Sequence, residues 1–122
     1  MKKVAFICVH NSCRSQIAEA LCRVYRKDLI PYSAGTEVKD NINQDAVRIM
    51  KDKFNIDMSS QCSKLLKDIP KCDIYISMGC NVGCPMIGKE FDENFEIDDP
   101  TGKADEVFIK AIEDIKNKIM NL

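Results

Sequence analysis

A cysteine and an arginine six residues apart could form a reactive centre in this sequence. Cys8 is the only one of the seven cysteines that has an arginine, Arg14, at that spacing. A thiolate is a strong nucleophile, and a guanidinium binds a tetrahedral oxyanion through two parallel hydrogen bonds. The pair therefore predicts attack by Cys8 on an anion that Arg14 holds. The alternative is that Cys8 is a packing residue at a strand end, since free cysteines are commonly buried.

The segment that carries both residues is predicted to be an oxyanion-binding loop. It reads Cys8-Val9-His10-Asn11-Ser12-Cys13-Arg14-Ser15, between an apolar run typical of a buried strand and an apolar spacing typical of a helix. A helix N-terminus offers unpaired N–H groups and a positive dipole end, which bind oxyanions and lower the pKa of a nearby thiol. Asn11 tolerates the left-handed backbone of a tight loop, and Ser15 could donate to the Cys8 thiolate or cap the helix. We expect His10 to face solvent.

The elements that must position this loop alternate between strand and helix. The predicted strands are Lys3–Val9, Ile30–Ala34, Ile74–Met78 and Phe95–Ile97. The predicted helices run from Arg14 to Tyr25, from Asn43 to Phe54, from Ser63 to Ile69 and from Ala104 to Met120. The apolar residues expected to face inward from the last helix are Phe108, Ile112, Ile115 and Ile119. Such alternation gives βαβ units and a parallel sheet with helices on both faces, and ligands bind at the carboxyl ends of its strands. We predict a three-layer α/β fold and, from a length of 122 residues, a single domain over residues 1–122.

Composition excludes several classes of protein. Lysine and arginine total 18 against 19 acidic residues, so the broad basic surface of a nucleic-acid-binding protein is missing. The longest apolar run, Val4 to Val9, is too short for a membrane span or for the core of a signal peptide. An odd number of cysteines and no sign of export disfavour a disulfide-stapled secreted fold. One histidine and the lack of any cysteine pair with two residues between its members (C-x2-C) disfavour zinc, so we expect no metal and no cofactor.

Several motifs resemble the low-molecular-weight protein tyrosine phosphatase superfamily. The segment from Cys8 to Ala20 looks like the signature loop of that superfamily, and Ser12–Gln16 is similar to its thioredoxin-coupled arsenate reductases. Further matching segments, in chain order, are Ser33-Ala34-Gly35-Thr36, Met78-Gly79-Cys80 with Cys84-Pro85, and Asp98-Asp99-Pro100-Thr101-Gly102-Lys103. The resemblance covers nearly the whole chain and implies a four-stranded parallel sheet flanked by helices, with Cys8 as the nucleophile.

The resemblance also implies that Asp99 is the general acid. A leaving oxygen must be protonated, and a carboxylic acid on a neighbouring loop is the usual donor. Pro100 keeps the residue before it extended, which would aim the Asp99 side chain. The alternative for Asp98 and Asp99 is a solvated acidic run or a helix cap.

The remaining thiols separate a reductase from a phosphatase. Both begin with attack by Cys8, but a reductase needs further cysteines to expel arsenite, and the resemblance implies a relay through Cys80 and Cys84. Cys80 closely follows the end of the third predicted strand, at the same sheet edge as the Cys8 loop. The alternative is that Cys80 and Cys84 are buried thiols or part of a metal site, and Cys13 is a rival partner for Cys8. Three other cysteines are expected to be packing residues: Cys22, Cys62 and Cys72.

The sequence is therefore interpreted as a cytoplasmic, monomeric arsenate reductase of arsenic detoxification. Its partners would be a small oxyanion (arsenate, with phosphate or sulfate as analogues) and thioredoxin or a similar thiol reductant. One alternative is a low-molecular-weight phosphatase that uses Cys8, Arg14 and Asp99, although Thr101 and Gly102 stand where the tyrosine phosphatases place tyrosines. The other is a non-catalytic thiol sensor or arsenite-binding module.

Overall fold

The computed structural model describes residues 1–37, 41–79 and 91–122. These residues form four parallel strands and three α-helices. The strands are β1 (Lys2–Ile7), β2 (Leu29–Ala34), β3 (Ile74–Ser77) and β4 (Glu93–Asn94). The helices are α1 (Arg14–Tyr25), α2 (Gln44–Phe54) and α3 (Asp105–Met120), and a short 3₁₀-helix spans Leu66–Asp68. The predicted α/β fold with a four-stranded parallel sheet is confirmed.

The strand order β2-β1-β3-β4 places β1 between β2 and β3. Residues Val4 to Ile7 of β1 pair with both neighbours, and they are fully buried. Strands covered on both faces read as nearly continuous apolar runs, which explains the pattern of this segment. Since all four strands are parallel, their carboxyl ends lie at one edge of the sheet, and the loop after β1 opens there.

The main core lies on one face of the sheet, and all three α-helices contribute to it. Val4 and Phe6 point into this core from β1, and the four predicted inward positions of α3 are fully buried: Phe108, Ile112, Ile115 and Ile119. On the opposite face, Ala5 and Ile7 pack in a smaller cluster with Cys72 and with Leu66 of the 3₁₀-helix. In the described part of the chain, that second cover is a 3₁₀ turn and loop side chains rather than an α-helix.

Two predicted elements differ from the structure by more than one or two residues at an end. The fourth strand covers Glu93–Asn94 instead of Phe95–Ile97, because Glu96 takes a left-handed φ of 52° that interrupts the extended backbone. Phe95 and Ile97 are nevertheless buried. The Phe95 N–H donates to the carbonyl of Ser77, the last residue of β3, and the Ile97 N–H donates to the carbonyl of the next residue, Met78.

The predicted helix from Ser63 to Ile69 shortens to one 3₁₀ turn. Ser63 Oγ donates to His10 O, and the Lys64 N–H donates to Asn11 Oδ1, so this stretch supports the loop after β1 instead of forming a helix. Leu65 also forms a bridge with Gly35. Among the described residues, no helix combines the length and the apolarity that crossing a membrane requires.

Candidate active site

The loop after β1 presents backbone donors around the Cys8 sulfur. Helix α1 begins at Arg14 with Cys13 as its N-cap residue, and its first turn contains no acidic residue. In the described part of the chain, the backbone N–H groups of residues 9 to 15 donate no backbone hydrogen bond. These donors and the positive end of the helix dipole can therefore bind an anion beside Cys8.

Asn11 gives the loop its curvature. Its φ is 51°, in the left-handed region that asparagine tolerates better than most side chains, so the predicted left-handed backbone is confirmed. The buried side-chain amide donates to Ser15 Oγ at 2.8 Å, and Ser15 Oγ lies 2.9 Å from Cys8 Sγ. Ser15 lies inside the helix and does not cap it, since the N-cap position belongs to Cys13. Its hydroxyl is thus placed to stabilise a thiolate.

Two residues to which the sequence patterns assigned no role of their own hold Asn11 in place. Gln16 is fully buried, and its Nε2 donates to Asn11 Oδ1 at 2.8 Å and to Asn11 O at 3.1 Å. The Lys64 N–H donates to the same Oδ1 at 2.8 Å. The sequence pattern gives some indication of a special role for Gln16, because this polar residue precedes the apolar residues Ile17 and Ala18 in the predicted helix. Lys64 gave no signal, because it acts through its backbone.

Gly35, which directly follows β2, sets the distance between the loop and the sheet. A Cβ atom on this residue would lie 2.4 Å from Val9 O and 2.7 Å from Cys8 O. No side chain fits there without displacing the loop backbone. The glycine of the Ser33–Thr36 motif is therefore needed for the close approach of the loop and not for a turn.

Arg14 crosses the sheet edge between the loop and the segments after β3 and β4. Its Nη1 donates to Ile97 O at 2.8 Å, to Met78 O at 3.2 Å and to Gly79 O at 3.4 Å. These three carbonyls fix the guanidinium through one nitrogen. Nη2 and Nε, which have no hydrogen-bond partner among the described residues, remain available for an oxyanion.

Asp99 faces the loop from the segment before α3. The side chain lines a small cavity of about 40 Å³ that is otherwise formed by the loop: Cys8, Val9, His10, Ser12, Cys13 and Arg14. Its Oδ1 accepts hydrogen bonds from Thr101 N at 3.1 Å and from Thr101 Oγ1 at 2.7 Å. Asp98 instead lines a separate depression with residues of α3. A nucleophile, a cation and a carboxyl group thus face one volume the size of a small oxyanion.

The described cysteines differ in their surroundings. Cys13 is 4% exposed, and burial, reinforced by the negative charge of Asp99, raises the pKa of its thiol to about 12. Burial also raises the pKa of Cys22 to about 11 and raises the pKa of Cys72. The packing assignment fits Cys22 and Cys72 but is wrong for Cys62, which is exposed because its segment lies over the loop at the surface.

The other predicted residues are distributed as follows. His10 is partly exposed, and its Nε2 lies 2.8 Å from Glu37 Oε2. Cys80 and Cys84, the predicted relay cysteines, lie outside the described residues. Within the described ranges, no group of three or more His, Cys, Asp or Glu side chains could hold a metal ion.

Comparison with known proteins gives consistent results. A family model for low molecular weight phosphotyrosine protein phosphatase matches residues 3–83. The "Glutaredoxin arsenate reductase" of Synechocystis sp. is 32% identical over 100% of this chain and 96% of its own length. "Arsenate reductase 2" of Staphylococcus saprophyticus is 34% identical over 97% of this chain and 93% of its own.

Solved structures give the same fold. "An arsenate reductase in the phosphate binding state" superposes with a TM-score of 0.85 at 32% identity, covering 99% of this chain and 95% of that one. A low molecular weight protein tyrosine phosphatase from T. tengcongensis superposes with a TM-score of 0.74 at 25% identity, covering 98% and 96%. The full-length overlap extends to the segment that carries Asp99.

Proposed function

We propose a function from the premise that this chain belongs to the low molecular weight phosphotyrosine protein phosphatase family. The function is the reduction of arsenate to arsenite, with Cys8 as the nucleophile, Arg14 and the loop N–H groups as the oxyanion clamp, and Asp99 as the acid. The observation that carries the proposal is the convergence of Cys8, Arg14 and Asp99 on one small cavity. Relatives named arsenate reductase, aligned over nearly their whole length, support the choice of substrate.

The first step uses groups of this cavity. The Cys8 thiolate attacks the arsenic atom, the As–S bond forms, and an oxygen leaves as water after protonation by Asp99. Charge that develops on the remaining oxygens is met by Arg14 and by the backbone N–H groups of the loop. The Ser15 hydroxyl at 2.9 Å stabilises the attacking thiolate before the reaction.

Reduction then requires a second thiol. In the proposed relay, Cys80 attacks Cys8 Sγ, a disulfide forms, and the electron pair of the broken As–S bond leaves with arsenite. Cys84 attacks the Cys80 sulfur and frees Cys8, and an external dithiol reduces the resulting Cys80–Cys84 disulfide. Arg14 donates to the carbonyl of Gly79, the residue before Cys80 in the sequence, and this contact beside the loop supports the choice of Cys80 as the second thiol.

Phosphatase activity on small substrates is the second candidate function. The first step is shared, and the phosphatase with a TM-score of 0.74 favours this possibility. The described lining of the cavity contains no phenylalanine, tyrosine or tryptophan that could hold a phosphotyrosine ring. We therefore propose that phosphate ester hydrolysis is a side activity of the reductase.

The reductant and the compartment complete the proposal. Thioredoxin or a similar dithiol protein would receive the oxidising equivalents, in a reducing cytoplasm that keeps the cysteines as thiols. The relative named glutaredoxin arsenate reductase makes glutaredoxin with glutathione the other donor to test. In this proposal the chain acts as a monomer with a single domain over residues 1–122.

The deciding experiment measures arsenate-dependent NADPH consumption with each donor system, beside aryl phosphate hydrolysis. We expect Cys80→Ser and Cys84→Ser to abolish sustained arsenate reduction and to leave phosphate ester hydrolysis nearly unchanged, because Cys8, Arg14 and Asp99 remain. Cys62→Ser, a change at an exposed cysteine, is the matched control and should keep both activities. Sustained arsenate turnover by the Cys80→Ser, Cys84→Ser double variant would contradict the relay.

A further inference from the structure

A continuous series of side-chain hydrogen bonds connects the protein surface with Cys8. In order from the surface, its members are Arg23, Gln61, Gln16, Asn11, Ser15 and Cys8. The five donor–acceptor distances are 3.0, 2.7, 2.8, 2.8 and 2.9 Å. The outer end is an exposed guanidinium, and the inner end is the sulfur that lines the candidate active site. We call this series the Arg23–Cys8 network.

The chemistry of its members gives the network one direction. A guanidinium can only donate, so Gln61 Oε1 faces Arg23 and the Gln61 NH₂ group faces Gln16. Gln16 Oε1 accepts from that NH₂ group, which turns its own NH₂ group toward Asn11. The orientation of each side-chain amide is therefore matched to that of the amide before it.

Gln16 is the most constrained member. Its Nε2 faces three oxygens: Asn11 Oδ1 at 2.8 Å, Asn11 O at 3.1 Å and Cys62 O at 2.8 Å. A rotation of the amide by half a turn would set its oxygen against those three acceptors and leave a fully buried group without a donor. The Gln16 amide consequently has a single acceptable orientation.

The inner end of the network determines where the Ser15 hydrogen points. Asn11 Nδ2 donates to Ser15 Oγ, so the lone pair on that side is occupied and the hydroxyl hydrogen is free to point at Cys8 Sγ. A hydroxyl that donates to sulfur favours the thiolate over the thiol.

We propose that Gln16 and Gln61 are positioning residues, which keep the Ser15 hydroxyl directed at the Cys8 sulfur and so favour the thiolate. The inference rests on the proposed function only in taking Cys8 as the nucleophile. Lys64 N–H shares the anchoring of Asn11 Oδ1, so the loss of either glutamine weakens the orientation without abolishing it. The other titratable or charged groups that face the Cys8 cavity stand outside the network: His10, Cys13, Arg14 and Asp99.

The test compares Gln16→Met, Gln61→Met and the double variant with wild type. Methionine keeps the length and neutrality of glutamine and removes its hydrogen bonds. Gln44→Met is the matched control, because Gln44 is an exposed residue of α2 outside the network. The measurement is the rate of alkylation of Cys8 by iodoacetamide across pH, followed by tandem mass spectrometry that separates Cys8 from Cys13.

We expect Gln16→Met to slow Cys8 alkylation near pH 6 by roughly 3- to 10-fold and to move its pH midpoint upward, as the loss of a hydrogen bond in such a network would. Gln61→Met should act in the same direction by about 2- to 3-fold. The double variant should match Gln16→Met, since Gln61 acts through Gln16. Gln44→Met should leave the profile unchanged.

A folded Gln16→Met protein with the wild-type alkylation profile would overturn the inference, and so would additive effects in the double variant. If Gln16→Met does not fold, Gln61→Met is combined with Ser15→Ala instead. The inference then requires that Gln61→Met changes nothing further once the hydroxyl is gone. Arsenate turnover is measured separately, so a chain that does not reduce arsenate would contradict the proposed function and leave the alkylation result standing.

Discussion

At the scale of single residues, Cys8 and Cys13 belong to the same loop but have opposite surroundings. The Cys8 sulfur contacts the Ser15 hydroxyl at the N-terminus of a helix. The Cys13 thiol is enclosed and lies near the Asp99 carboxylate, and its pKa is raised to about 12. Cys13 therefore stays protonated at neutral pH, which makes it a poor rival to Cys8 as nucleophile.

This contrast predicts selective alkylation. Near pH 6, iodoacetamide should label Cys8 before Cys13, Cys22 and Cys72, whose pKa values burial raises. Phosphate or sulfate should protect Cys8, because an anion in the loop covers the sulfur. Peptide mass mapping of a labelling time course checks both statements. Equal labelling of all cysteines, unaffected by anions, would contradict the assignment of the loop as an oxyanion site.

Asp98 and Asp99 are adjacent, yet only Asp99 faces the Cys8 cavity. Asp99→Asn should slow aryl phosphate hydrolysis by roughly 10²- to 10⁴-fold, the effect typical of a lost general acid, with folding intact. Asp98→Asn should have far less effect and serves as the control. The measurement is the steady-state rate at saturating substrate, and an exchange of the two phenotypes would move the acid to Asp98.

At the scale of secondary-structure elements, the residue after β2 lies in close contact with the loop after β1. A substitution that adds one methyl group at Gly35 tests the importance of this contact. In Gly35→Ala, the new Cβ would meet Val9 O at 2.4 Å and displace the loop backbone. We expect a loss of about 1–3 kcal/mol of stability, as for an overpacked core, and a larger fall in activity. Urea unfolding and aryl phosphate hydrolysis measure the two effects.

Gly102→Ala provides the comparison for Gly35→Ala. Gly102 has a left-handed φ of 78°, but a Cβ atom there would meet no heavy atom within 4 Å. Its substitution should cost about 1 kcal/mol through backbone strain alone. If Gly35→Ala lowered activity no more than Gly102→Ala, the contact between β2 and the loop would not position the site.

At the scale of the whole molecule, buried thiols make the fold sensitive to alkali. The folded-state pKa of Cys22 is about 11, above its ordinary value of 9.0, because burial disfavours the thiolate. The stability this contributes is fully present below pH 9 and is lost as pH rises from 9 to 11, since only the unfolded chain ionises there. Cys22→Ala should reduce the slope of unfolding free energy against pH by up to about 1.4 kcal/mol per pH unit.

Urea unfolding between pH 8 and pH 11 measures that slope. The substitution of exposed Cys62 by alanine is the control, because it removes a thiol without removing a buried one. The cavity that Cys22→Ala leaves lowers the free energy of unfolding by the same amount at every pH, so it does not change the slope. Equal slopes for wild type and Cys22→Ala would contradict the link between burial and alkaline instability.

The sequence by itself determined the alternation of strands and helices, the parallel sheet and the position of the Cys8–Arg14 loop. These follow from local patterns, because an apolar run, a helical spacing and a loop between them are each written in neighbouring residues. The inward face of α3 is the clearest case, since all four predicted positions are fully buried. The patterns were weakest where a segment is short, as for the fourth strand and the stretch from Ser63 to Ile69.

Only the tertiary structure decided which distant groups meet at the loop. The Lys64 N–H reaches Asn11 from 53 residues away, and Ile97 O reaches Arg14 from 83 residues away. These contacts use backbone atoms, which nearly every residue carries, so the residue types in the sequence do not predict them. The exposure of Cys62 and the enclosure of Cys13 were decided in the same way, because burial depends on what the rest of the chain places above a residue.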